Sequence, residues 1–193
     1  MKNRCGIILL AAGSSSRFGE AKQLLRYGHT TLLEHSIHEA LESLASEVIV
    51  VLGANAETIK PVIKKEKFSI IINALWQEGV ASSIRCGLQY LVEKMPAVEA
   101  ALFMACDQPY INASLLNKLV TLQQQTGDAI VASGYADTTG IPAIFDKKLF
   151  PALLQLKGDA GAKKIIMQQN KITTVPFPLG DIDIDTAADY TRL

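Results

Sequence analysis

The sequence predicts a three-layer α/β/α fold around a mostly parallel, Rossmann-like sheet. Three observations predict it. Short continuous apolar runs recur along the chain, stretches with helical spacing separate them, and glycine or polar turn residues close the runs. Strands apolar on every residue are expected where helices cover both sheet faces.

Residues 5–11 (CGIILLA) read as the first strand, closed by Gly13. Leu32, Leu33, Ile37, Ala40, Leu41 and Leu44 give residues 31–45 a helical period. A second strand is expected over 47–52 (EVIVVL), a helix over 55–66 and a third strand over 68–73 (FSIIIN). Ile84, Leu88 and Leu91 form one stripe of a helix over 81–94, and 98–105 (VEAALFMA) reads as the fourth strand. A helix over about 112–125 and a strand over 128–133 follow. Then come an irregular stretch over 134–142, a short strand over 143–145 (AIF), helices over 146–154 and 159–168, and a final strand over 172–176. No repeat or linker interrupts the 193 residues, so one domain spanning 1–193 is expected. In open α/β sheets ligands bind beyond the carboxyl ends of the strands, which is where the chemistry should lie.

Hydrophobic residues make up 49% of the chain, charged residues 20%, and the formal net charge is zero. That is an ordinary globular composition, without the basic field that holds nucleic acid. Any ligand must be gripped by a few placed groups. Cys5, Cys86 and Cys106 fit neither a zinc pattern nor a CxxC redox motif and read as buried thiols in a reducing cytoplasm. No apolar run approaches the roughly 18 residues of a membrane span. Lys2 and Arg4 before an apolar run imitate a signal peptide, but the run is short and continues as folded domain.

The first strand runs into LLAAGSSSRFGEAKQLL, residues 9–25. Small residues Ala11, Ala12, Gly13 and Ser14 let backbone approach a ligand, and successive N–H groups in such a turn attract anions. Arg17 and Lys22 add two cations, a combination suited to a triphosphate. The spacing matches neither the P-loop nor GxGxxG, which argues against a dinucleotide oxidoreductase. Solvated cations beside an ordinary turn are the bland alternative.

The fourth strand ends in MACDQPYI, residues 104–111. Asp107 there suits Mg2+ on a bound nucleotide, with Pro109 stiffening the turn; a turn or helix-capping aspartate is the other reading. In GDIDIDTAADY, residues 180–190, Asp181, Asp183 and Asp185 share one face of an extended chain. A shared cation and a helix start at Asp185 or Thr186 both fit. Ser82 and Ser83 open the helix after Gly79, either as caps or as readers of a base or ribose. GIP (140–142) and GDAG (158–161) are turn sequences. His29, His35 and His38 form no ligand pair, and His35 and His38, on a helix face beside Glu34 and Glu39, read as solvated.

In order, LLAAGSSSRFG with Lys22, GVASSIRCGL, ACDQP, GIPAIF, LKGDAGAKK and DIDTAADY resemble the MobA-like NTP-transferase family. Within it the chain is most similar to the molybdenum-cofactor cytidylyltransferases. The resemblance spans about 5–190 and implies the nucleotide-diphospho-sugar transferase type of fold. It implies CMP transfer from CTP to the phosphate of molybdopterin, with Mg2+ or Mn2+ as cofactor, pyrophosphate released, and a molybdoenzyme as recipient of the product. Neither nucleic acid nor membrane is expected as a partner. Leu10, Ala11, Ala12, Gly13, Arg17, Lys22, Ser82, Ser83 and Asp107 would bind nucleotide, with Arg17, Lys22 and Asp107 catalytic. Asp107 and Asp185 would hold the metal, and Gly140, Pro142, Asp159 and Asp183 would lie on the acceptor side. Ala12 matches the cytidylyl branch, where the guanylyl branch usually has glycine. Phe18 replaces a frequent Met, and Ile141 a frequent Asn. Two alternatives remain: a same-fold transferase with another NTP or a sugar or alcohol phosphate acceptor, and a non-catalytic cofactor carrier.

Overall fold

The structure is a computed structural model and describes residues 4–16, 18–63, 67–169 and 171–192. In chain order the elements are β1 (Cys5–Ala11), β2 (Arg26–Tyr27), β3 (Thr30–Thr31), α1 (Leu32–Leu41), β4 (Glu47–Leu52), α2 (Ala56–Ile59), β5 (Ser69–Ile72), α3 (Val80–Lys94), β6 (Ala100–Ala105), α4 (Ala113–Thr126), β7 (Ile130–Tyr135), β8 (Thr138–Asp146), α5 (Phe150–Leu154), α6 (Lys163–Met167), β9 (Thr173–Pro176) and α7 (Ala187–Tyr190).

Seven strands form one sheet in the order β5-β4-β1-β6-β8-β7-β9, and β2 pairs with β3 in a small ribbon. All main-sheet pairings are parallel except those of β8, which runs antiparallel to both β6 and β7. The central strand β1 shows why both faces must be covered. Ile7 and Leu9 pack with Leu33 and Ile37 of α1, Ile59 of α2 and Leu116 of α4. Ile8 packs with Ile84 and Leu88 of α3, Leu153 of α5 and Ile166 of α6. The alternation has the strand's own period of two, so the three layers follow from it. Among the described residues, no helix is long and apolar enough to cross a membrane.

Several elements differ from the sequence expectation. The helix expected over 55–66 is only Ala56–Ile59, because Pro61 lacks an N–H and cannot continue it; residues 64–66 lie outside those described. The stretch over 134–142 is not irregular. It is a hairpin in which Tyr135 pairs with Thr138 across Ala136 and Asp137, both at positive φ (45° and 58°). Such a two-residue turn usually carries Asn-Gly, so Ala-Asp gave no signal. The short strand expected over 143–145 is therefore the end of nine-residue β8, with Pro142 at a bulge where no ladder N–H is needed. The helix over 159–168 shortens to α6, because residues 158–161 turn back onto α3: Ala81 N–H donates to Gly158 O at 3.1 Å.

Candidate active site

A cavity of about 390 Å³ opens beyond the carboxyl ends of β1 and β6, lined among others by Ala12, Gly13, Lys22, Ser83, Asp107 and Asp159. Leu10 and Ala11 also reach its wall. Gly13 is exposed, and a Cβ built on it would meet nothing within 4 Å. Its φ lies outside the left-handed region, so the fold itself has no use for a glycine there. The missing side chain leaves room for whatever enters the cavity.

Gln23 holds this loop, a role that sequence reasoning missed. Its side chain is 1% exposed; Nε2 donates to Ala11 O (2.9 Å) and Gly13 O (3.0 Å), and Oε1 accepts from Ser15 Oγ (3.4 Å). Ser15 Oγ in turn accepts from the Lys22 backbone N–H at 3.1 Å. A polar residue inside the otherwise apolar QLL run was the available signal. Arg17 lies outside the described residues.

Across the cavity mouth the chain tail meets the end of β6. Ile184 N–H donates to Asp107 O at 2.9 Å, and the Ile184 side chain is fully buried against Leu25 and Leu32. Gln108, also missed, adds a bond from Nε2 to Gly180 O at 2.9 Å. These anchors deliver Asp185, and Thr186 then caps α7 in a capping box with Asp189. Asp107 caps no helix; Asn112 does that for α4, accepting from Leu115 N–H. Lys22 Nζ sits 2.7 Å from Asp107 Oδ2 and 2.9 Å from Asp185 Oδ1. Burial works against the Lys22 charge, but the charge of Asp107 and the hydrogen bonds that the ammonium donates to both carboxylates outweigh it and raise the ammonium above its ordinary pKa. Partial desolvation first, then the charges of Asp107 and Asp185, push the Asp183 carboxyl up to about 6.

The donor set suits a hard divalent cation. Among the described residues no group of three or more His, Cys, Asp or Glu could hold a metal by itself. Mg2+ needs only one or two carboxylates when phosphates and water complete its shell. Asp107 and Asp185 already converge on one cation, the Lys22 ammonium.

On the α3 side, Gly79 has φ 97°, and a Cβ there would run into Asp159 and Gly158, so the 158–161 loop seats directly on the helix start. Arg85 fixes that loop from below, donating to Leu156 O (2.6 Å) and Glu78 Oε2 (2.7 Å). Gly79, not a serine, is the N-cap of α3. Ser82 Oγ donates to Gly79 O at 2.8 Å and does not line the cavity, whereas Ser83 does. Asn73, Trp76 and Gln77 complete this wall or support it, and none was singled out from sequence.

Residues 140–142 are strand rather than turn. Gly140 is buried beneath the Tyr135 hydroxyl, Pro142 O accepts from Ser133 Oγ at 2.7 Å, and only Ile141 of the three reaches the cavity. Asp159 lines the cavity beside Gly79, while Asp183 stands outside its wall near Asp107. His35 is not solvated: a ring nitrogen lies 3.1 Å from Pro109 O and the ring packs on Tyr27 at 4.8 Å, bracing the turn after Asp107.

The pattern of the MobA-like NTP transferase domain matches residues 7–172. The chain belongs to that family. Among similar proteins, nicotine blue oxidoreductase of Paenarthrobacter nicotinovorans is 30% identical over 96% of this chain and 94% of its own. A probable molybdenum cofactor guanylyltransferase of Bacillus mycoides is 26% identical over 67% of this chain and 62% of its own. The crystal structure of Rv0371c from Mycobacterium tuberculosis superposes with a TM-score of 0.87 at 27% identity, over 100% of this chain and 98% of that one. The structure of Rv0371c in complex with manganese gives 0.80 at 24%, with the same coverage of both chains.

Proposed function

We propose that this chain transfers CMP from CTP to the phosphate of a molybdopterin-type acceptor, releasing pyrophosphate, with Mg2+ or Mn2+ held by Asp107 and Asp185. One observation carries the reading: a glycine whose missing Cβ leaves open space stands in the same cavity as a lysine held between two carboxylates. The similarity to a named molybdenum cofactor guanylyltransferase supports the acceptor class, and the manganese complex of Rv0371c supports a divalent ion. The methyl of Ala12 narrows the wall where the guanylyl branch usually has glycine, which favours CTP. Three free thiols, two of them buried, suit a reducing cytoplasm.

The chemistry needs positioning and charge neutralisation more than a protein nucleophile. The acceptor phosphate oxygen bonds to the α-phosphorus, the bond to the β-phosphate oxygen breaks, and pyrophosphate leaves with the electron pair. Gly13 lets the phosphates approach the backbone, held in shape by Gln23. Lys22 offsets the charge that develops on pyrophosphate. Asp107 and Asp185 would hold the divalent ion, which when bound would supply Lewis-acid charge to the transfer. Ser83 faces the base or ribose, and Asp159 and Ile141 border the space left for the acceptor.

The test is pyrophosphate release from CTP, GTP, ATP and UTP with a molybdopterin-type acceptor and Mg2+ or Mn2+. Release with CTP supports the reading; release with a sugar phosphate acceptor alone moves the chain to another branch. Pterin binding without pyrophosphate from any NTP would make it a carrier. The identity to nicotine blue oxidoreductase favours one further reading, an oxidoreductase. Binding of a flavin or nicotinamide cofactor, with no nucleotide dependence, decides for it.

A further inference from the structure

Asn73 closes β5 with its backbone N–H on Leu52 O at 2.8 Å, and its side chain is 4% exposed. The orientation of its amide is fixed by chemistry. Leu75 N–H lies 3.0 Å from one amide atom and can only donate, so that atom is the oxygen Oδ1. The other atom is therefore Nδ2, whose two hydrogens go to Ser82 Oγ (2.7 Å) and Ser83 Oγ (3.0 Å). Both serine oxygens thus act as acceptors toward Asn73, and each keeps one O–H to place. Ser82 places its own on Gly79 O at 2.8 Å. Ser83 has no protein acceptor for its proton among the described residues, and it lines the cavity.

We propose that Asn73 is a positioning residue that sets the polarity of nucleotide recognition, by making the Ser83 hydroxyl a hydrogen-bond donor toward the base or ribose. The inference rests on the nucleotide reading above. The group opposite Ser83 is then an acceptor: a carbonyl oxygen, an unprotonated ring nitrogen or a ribose oxygen. Asn73 touches no ligand itself. An aspartate in its place would accept from both serines, pull the Ser83 proton inward and turn a lone pair on the ligand's own acceptor.

Calorimetric titration with CTP and, separately, with inorganic pyrophosphate tests this. Pyrophosphate engages the Gly13 and Lys22 side of the cavity and not Ser83. Ser83→Ala should weaken CTP about tenfold, the size of one lost hydrogen bond in a desolvated site, and leave pyrophosphate unchanged. Asn73→Asp should weaken CTP by more than that, again sparing pyrophosphate. In a Ser83→Ala background, Asn73→Asp should add little, because Asn73 acts through Ser83. Asn73→Ala, which removes the donor without reversing it, serves if the aspartate variant does not fold, and should weaken CTP by less than Ser83→Ala does, because the freed hydroxyl can still donate. Parallel loss of CTP and pyrophosphate, or additive losses in the double variant, overturns the proposal and makes Asn73 structural only. Wild-type protein that binds neither CTP, GTP nor pyrophosphate overturns the nucleotide reading instead.

Discussion

Lys22 Nζ stands 2.7 Å from Asp107 Oδ2, with only 12% of the lysine side chain exposed. A second carboxylate, Asp185, reaches the same ammonium. If Asp107 and Asp185 hold the divalent ion as proposed, the lysine fills the place that ion would take, and its charge would exclude the ion by simple repulsion. Phosphates offer the ammonium other acceptors. Metal and nucleotide should therefore bind together better than either does alone. Lys22→Met should raise Mn2+ affinity of the nucleotide-free protein about tenfold or more, while CTP affinity falls. Electron paramagnetic resonance of free Mn2+ measures the first and calorimetry the second. Equal Mn2+ affinity in both proteins would show that the lysine and the ion use different places.

Gly13 separates ligand effects from fold effects. Among the described residues, a methyl at this position meets no atom within 4 Å beyond its chain neighbours. Gly13→Ala should leave the melting temperature within about 1–2 °C of wild type, or raise it slightly by restricting the unfolded chain. CTP affinity should nonetheless fall at least tenfold. Unchanged CTP binding in a folded variant would remove the phosphates from this loop.

Asp183 gives a pH signature. Its carboxyl is raised from the usual 3.8 to about 6, so the folded protein holds this proton more tightly than the unfolded chain does. The sign follows: the stabilisation is fully present below 3.8 and is lost as pH rises through about 6. Asp183→Asn should therefore match wild type near pH 4 and melt higher than wild type at pH 7 to 8, in metal-free buffer. Thermal melts across that range check it; a difference that is constant with pH would contradict the raised carboxyl.

Much of this was legible in the sequence. Unbroken apolar runs such as Cys5–Ala11 and Glu47–Leu52 report burial on both faces directly, and the residues just past Cys5–Ala11 and Ala100–Ala105 do gather at one end of the sheet. The hairpin at Ala136–Asp137 was hidden because its positive φ angles fall on residues that do not advertise them. Asp107 and Asp185 could be named as single residues, but what brings them together, Ile184 under Leu25 and Leu32, is a packing fact between distant segments. Gln23 and Asn73 were invisible for a different reason. A buried amide is informative only through its partners, and Ala11, Gly13, Ser82 and Ser83 become partners only once the loops close.

On the proposed function, the Asp107 carboxylate at the end of β6 serves metal-dependent nucleotidyl transfer. Asp107→Asn keeps the shape of the side chain and removes the charge that Lys22 or a divalent ion would meet. With circular dichroism confirming an unchanged fold, Mg2+-dependent pyrophosphate release from CTP should fall at least a hundredfold, in keeping with the loss of a charge-stabilising group at a reacting phosphate. Pyrophosphate release that persists at the wild-type rate would contradict the account.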